Sequence, residues 1–140
     1  MLVNATFGTS TSAAAVTPVP QPFAPQAQTV EQYVRSYFAD IPVMIDIARC
    51  ESKFRQFSAD GGVKHGDIVY SDLGVMQINS YYHQTEAANM GLDLTTIEGN
   101  VAFARYLYDK EGTTPWLSSS KCWAKSDSSS SQQLAINVTK

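Results

Sequence analysis

The chain has 140 residues, 44% of them hydrophobic, and a formal net charge of -3, enough for one domain with its own core and no reason to look for two. The small negative charge excludes the basic footprint of a nucleic-acid binder, and no apolar run approaches the roughly 20 residues that a membrane-spanning helix needs. The N-terminus has neither the basic leader nor the continuous apolar stretch of a signal peptide, so no export route is read from it.

From Asn4 to about Gln28 the residues are mostly Ala, Ser, Thr, Pro and Gln with almost no charge. Such a segment buries too little surface to offset its ordering entropy, so 1–28 is expected to be a disordered linker. The run Ser126-Asp-Ser-Ser-Ser-Ser-Gln-Gln133 repeats the theme and places a serine-rich tail over 124–140. The folded domain is expected over 29–123, with no internal repeat. Its first helix opens at Thr29, where Gln32 completes a capping-box pattern, and runs to about Phe38. Asp40 is expected to cap a second helix, with Pro42 in its first turn, that continues through Met44, Ile45, Ile47, Ala48, Cys50 and Phe54. Two short β-type runs between Gly61 and Tyr70, around His65-Gly66-Asp67, give a hairpin. A third helix from about Tyr82 to Met90 stops at Gly91. A fourth opens on the capping box Thr95-Thr-Ile-Glu98 and closes at Gly112. The fold class expected is therefore α+β, mainly helical with a small β-hairpin.

Glu51 is the oddly placed acid, because Ile47, Cys50 and Phe54 flank it on one helical stripe. A carboxyl set into an apolar face is desolvated and keeps its proton to higher pH, which is what a glycosidase needs to protonate a departing oxygen. Periodicity alone equally allows Glu51 to sit at the C-terminal turn and reach solvent. Downstream, Ser71-Asp-Leu-Gly-Val-Met-Gln-Ile-Asn79 combines a backbone-permissive glycine, able to pass close to a ligand or another element, with alternating buried and polar side chains. Gln77 and Asn79 can each donate and accept hydrogen bonds, which suits the N-acetyl and hydroxyl groups of an amino sugar or ties down a loop. The two cysteines, Cys50 and Cys122, permit either one disulfide or a pair of small buried thiols.

Cys50-Glu51-Ser52, followed by Ser71-Asp-Leu-Gly-Val-Met-Gln-Ile78, resembles the Glu-Ser and Gly-Leu-Met-Gln motifs of soluble lytic transglycosylases and goose-type lysozymes. The stretch Glu98-Gly-Asn-Val-Ala-Phe-Ala-Arg-Tyr-Leu-Tyr108 is similar to the later core helix of that family. Pro115-Trp116 and Cys122-Trp123 are similar to the ends of resuscitation-promoting factors. The resemblance covers about Ile41 to Trp123. It implies a lysozyme-like fold, Glu51 as general acid and base, and a sugar cleft lined by Ser71, Gly74, Met76 and Gln77. Resuscitation-promoting factors carry a cysteine just before the catalytic glutamate and another near the domain end, so the resemblance also favours a Cys50–Cys122 disulfide. Closing a loop of that length would stabilise the fold by roughly 4 kcal/mol in the chain-entropy model. Two departures stand out. The Ala-Tyr-Asn motif of larger transglycosylases is absent, leaving Tyr106, Tyr108 and Trp116 as candidates for the tyrosine that supports the glutamate. The segment around His65-Gly66-Asp67 is longer than the family spacing needs, which points to an altered cleft wall.

Asp72 and Asp67 are the acids nearest in sequence to serve as a second catalytic carboxylate, although an aspartate close before a glycine is more often a turn or capping residue. His65 and His83 lack metal-ligand spacing and read as surface residues, so no metal and no organic cofactor is expected. Among the aromatics, Trp116 in a Gly-Thr-Pro loop is expected along the cleft, Tyr108 with Val101 and Ala104 in the core, and Trp123, Tyr81, Tyr82 and Tyr106 are further candidates for sugar stacking. The expected function is cleavage of the bond between N-acetylmuramic acid and N-acetylglucosamine by a monomeric, extracellular or cell-envelope lytic transglycosylase. The alternatives are a hydrolase of the same bond, a silent peptidoglycan-binding or signalling module, and a structural domain of a surface assembly. The partner is the peptidoglycan glycan strand, with no nucleic acid and no membrane insertion.

Overall fold

The computed structural model describes residues 27–125, with Gly8 and Ala14 as isolated positions before that span. The expected linker over 1–28 lies almost wholly outside the described residues, and so does the serine-rich tail after Lys125. Among the described residues the elements are α1 (Val30–Tyr37), α2 (Pro42–Ser52), β1 (Asp72–Leu73), β2 (Ile78–Asn79), α3 (Ser80–Asn89), α4 (Ile97–Glu111) and a 3₁₀ helix (Thr114–Ser119). Residues 120–125 continue it as a helical segment. The fold is mainly helical α+β with one small antiparallel sheet, in which Asp72 pairs with Asn79 and Leu73 with Ile78. No described helix is long and apolar enough to cross a membrane.

The capping box of α1 forms as the sequence suggests: Thr29 Oγ1 accepts from the Gln32 N–H, and the Gln32 side chain accepts from the Thr29 N–H. α2 starts differently. Its N-cap is Ile41, with no side-chain cap, because Pro42 fills the first turn and both Asp40 oxygens instead accept from Arg105 of α4, at 3.1 and 2.8 Å. The cap of α4 moves by one residue. Thr95 donates its hydroxyl to Asp93, and Thr96 takes the capping role by accepting from the Gly99 N–H. α3 begins two residues earlier than expected, at Ser80, and the stops at Gly91 and Gly112 hold, both with positive φ.

The expected hairpin over Gly61–Tyr70 does not form. Phe57 pairs with Val63 and His65 with Leu73 as isolated bridges, and the true ladder lies between Asp72 and Asn79. The Gly66 N–H donates to the Asp72 carbonyl and the Asp72 N–H to the Val69 carbonyl, which bends the intervening chain into an outward loop. Ile68 at its tip is 98% exposed, so the β-type composition of Ile68-Val69-Tyr70 is not matched by strand pairing.

The core joins Val34 and Phe38 of α1, Met44, Ile47 and Ala48 of α2, Val101, Phe103, Ala104 and Leu107 of α4, and Trp116 and Trp123. Tyr108 packs against it as expected. A disulfide links Cys50 to Cys122, 72 residues apart, and so fastens the end of α2 to the segment after the 3₁₀ helix.

Candidate active site

The segment Leu73–Ile78 owes its shape to two fully buried amides. Gln56 accepts from the Val75 N–H (2.9 Å) and donates to the Thr95 carbonyl (3.0 Å). Asn100 accepts from the Met76 N–H (3.0 Å) and donates to the carbonyls of Leu73 and Leu94. The Ser52 hydroxyl reaches the Val75 carbonyl (2.8 Å), tying the same segment to the end of α2. These bonds match the N–H groups of Val75 and Met76 and the carbonyls of Leu73 and Val75 as the loop is buried. From the 3₁₀ helix Trp116 joins the loop, its indole N–H donating to the Met76 carbonyl at 2.9 Å.

Glu51 lies in the last turn of α2. The helix ends at Ser52 because Lys53 and Phe54 both adopt positive φ, 55° and 58°, so Phe54 leaves the expected stripe and packs at the edge of the core. Glu51 is half-buried nonetheless. Its Oε1 accepts from the Ser119 hydroxyl at 2.5 Å, a contact made by the segment that the disulfide holds in place. Desolvation raises the Glu51 pKa above the ordinary carboxylate value, the Ser119 hydrogen bond opposes the rise, and the charge of Asp72 adds to it. The negative end of the α2 dipole acts in the same direction. Asp72 is also raised, by desolvation, with a hydrogen bond from Asn79 opposing.

Two adjoining pockets, of about 310 and 350 Å³, share Glu51, Asp72, Gln77 and Ser118. The first continues along Asn79, Tyr82, His83, Glu111 and Trp116, and the second along Gly66, Asp67, Ile68, Val69 and Ser119. Together they form one cleft with the glutamate at its middle.

No family model, no curated protein and no solved structure matches the chain. The chemistry of the cleft therefore has to be read from its own residues.

Of the residues singled out by sequence, the cleft brings together Glu51, Asp72, Gln77, Asn79, Tyr82 and Trp116. Trp116 lines its floor, but at 2% exposure it is core, with only an edge in the cleft. Gln77 holds a left-handed backbone (φ 50°) and donates to the Gly74 carbonyl. The Asn79 amide donates to Asp72 at 2.8 Å and to Ser71 at 3.1 Å. Ser71, Gly74 and Met76 lie outside both pockets. Ser71 accepts from Asn79 and, through its carbonyl, from Ser80, Gly74 fits between the buried amides, and Met76 is fully buried. Tyr106 is likewise elsewhere, its hydroxyl donating to Glu86 of α3 at 2.6 Å. Asp67 lines the second pocket, but its carboxylate reaches Lys64 (3.3 Å).

The cleft also contains residues that the sequence did not single out for it. Ser118 and Ser119 sit in a Leu117-Ser-Ser-Ser120 run whose composition suggests only a polar loop. His83 is half-buried on the cleft wall and not a free surface residue, with Glu86 at 4.0 Å. His65 is also half-buried but lies outside both pockets, its ring stacked on Tyr70 at 3.8 Å. Tyr82, by contrast, is a sugar-stacking candidate in the sequence; it is 73% exposed and is the aromatic face open to the first pocket. Among the described residues no group of three or more His, Cys, Asp or Glu side chains could hold a metal ion.

Proposed function

We propose that this cleft cleaves the glycan strand of peptidoglycan between N-acetylmuramic acid and N-acetylglucosamine, as a lytic transglycosylase with Glu51 as the single acid and base. One observation supports it most: Glu51, half-buried and held above the ordinary carboxylate range, lies where two pockets meet. A polymer laid through both would have an internal bond beside this carboxyl. The substrate is carried by the resemblance of Cys50-Glu51-Ser52 and Ser71–Ile78 to lytic transglycosylases. In the proposed reaction Glu51 protonates the bridging oxygen as the C1–O bond breaks. The 6-hydroxyl of the same muramic residue then attacks C1 and returns its proton to Glu51, giving a 1,6-anhydro product. An attached nucleophile has the entropic advantage of an intramolecular reaction. The disulfide fits action in an oxidising compartment, the cell surface or envelope.

Purified peptidoglycan should be cleaved in a zymogram, with products lighter by one water than those of a lysozyme. Glu51→Gln, which keeps the shape and removes the acid, should lower the rate by about 100-fold or more. A well-folded Glu51→Gln protein that retains its rate would overturn the assignment.

Asp72 favours a second reading. It lines both pockets beside Glu51, where a carboxylate could assist water and give ordinary hydrolysis. Products with free reducing ends, and Asp72→Asn as damaging as Glu51→Gln, would establish that reading in place of the first.

A further inference from the structure

A lone glutamate that acts first as acid and then as base needs a neighbour that serves both of its protonation states. None of the three sequence candidates is seen bonded to Glu51: Tyr106 is engaged with Glu86, Tyr108 packs against the core, and the Trp116 indole donates to the Met76 carbonyl. The surroundings of Ser119 have the required form. Its Oγ is 2.5 Å from Glu51 Oε1 and 3.1 Å from the Trp116 carbonyl oxygen, so its single hydrogen has two acceptors between which to turn. The Trp123 indole N–H lies 3.1 Å from the same Oγ and 3.1 Å from the Trp116 carbonyl. That donor is permanent and buried.

We propose that Ser119 is the positioning residue for Glu51 in both halves of the reaction: its hydroxyl donates to the ionised carboxylate, and turns to the Trp116 carbonyl to accept from the protonated acid. The oxygen of Ser119 stays anchored by Trp123 throughout, so the carboxyl keeps its place while the hydroxyl hydrogen changes partner. The bond from Cys50, next to Glu51, to Cys122, next to Trp123, fixes the distance across which this happens. The proposal rests on the glycan-cleaving function given above, but its geometry exists in the resting protein.

The other titratable groups facing Glu51 across the cleft are Asp72 of β1, Asp67 of the loop, Tyr82 and His83 of α3 and Glu111 of α4. All stay in place in the variants that test the idea. The Glu51 carboxyl is followed through its titration by carbon-13 NMR in the full, substrate-free chain, with the signal assigned by its loss in Glu51→Gln. Ser119→Ala removes the donor to the charged form, so Glu51 should titrate at higher pH than in wild type. Ser119→Thr keeps the hydroxyl and should restore the wild-type titration. On peptidoglycan, Ser119→Ala should lower kcat roughly 10-fold with KM little changed. An unmoved Glu51 titration in Ser119→Ala, or a threonine variant that titrates like the alanine one, would overturn the proposal. Because the titration needs no substrate, a wild-type protein that cuts no peptidoglycan would refute the proposed function separately.

Discussion

Gly74 meets two demands at once. Its φ of +71° lies in the left-handed region, and a Cβ there would stand 2.5 Å from Asn100 Nδ2 and 2.6 Å from Gln56 Oε1. Both amides are fully buried and spend their hydrogen bonds on the loop and on the carbonyls of Leu94 and Thr95, so neither can retreat without stranding a backbone group. Gly91 has nearly the same φ, +73°, yet a Cβ there meets nothing within 4 Å. The pair separates backbone strain from close approach. Gly91→Ala should cost about 1–2 kcal/mol, the left-handed penalty alone. Gly74→Ala should cost about 3 kcal/mol or more, through strain and displaced buried amides together. Chemical denaturation of both variants measures the difference, and equal losses would mean that the amides yield freely. The sequence suggests that Gly74 permits a close approach. It cannot show whether a ligand or the protein approaches, because Gln56 and Asn100 lie far from it along the chain.

Among the elements, the parts legible in sequence are those fixed by neighbours in the chain. Thr29 with Gln32, Gly91 and Gly112 mark helix ends through local hydrogen bonds and backbone freedom. The misplaced features were decided by distant partners. Arg105 takes Asp40 away from capping α2, and the sheet forms where Asp72–Leu73 can meet Ile78–Asn79, not where β-type residues are densest. Glu51 and Asp72 could be found because their motifs are contiguous. Ser119 could not, since it stands 68 residues from Glu51 in a featureless serine run. The Cys50–Cys122 bond ties together the two segments that make that distant contact. Cys50→Ser with Cys122→Ser should lower stability by about 2–4 kcal/mol, and should also slow cleavage at temperatures where the fold persists, because the Ser119 segment then holds Glu51 less firmly. A double variant that melts lower but cleaves at the wild-type rate would restrict the disulfide to a role in stability.

At the scale of the whole molecule, the cleft carries a cost that should appear in its dependence on pH. Glu51 and Asp72 both have raised pKa values, chiefly through desolvation. Between the ordinary values, about 4.3 for a glutamate and about 3.9 for an aspartate, and the raised ones, the folded state holds more protons than the unfolded state, so stability falls as pH climbs through that window. Glu51→Gln should therefore melt higher than wild type at neutral pH, and this advantage should shrink as pH falls through that window and vanish below the ordinary value. On the proposed mechanism, activity should follow the same titration with a different consequence. Glu51 must begin protonated, so cleavage should decline as pH rises through its raised pKa. The charge of Asp72 helps to keep Glu51 protonated, whereas the Ser119 hydrogen bond opposes protonation. Asp72→Asn should thus move the alkaline limb of kcat/KM to lower pH, and Ser119→Ala should move it to higher pH. Opposite displacements of one limb by two small substitutions are hard to produce by general loosening of the fold, which would move both the same way. If Asp72→Asn abolished turnover at every pH instead of displacing the limb, Asp72 would be acting on water directly and the cleft would be that of a two-carboxylate hydrolase.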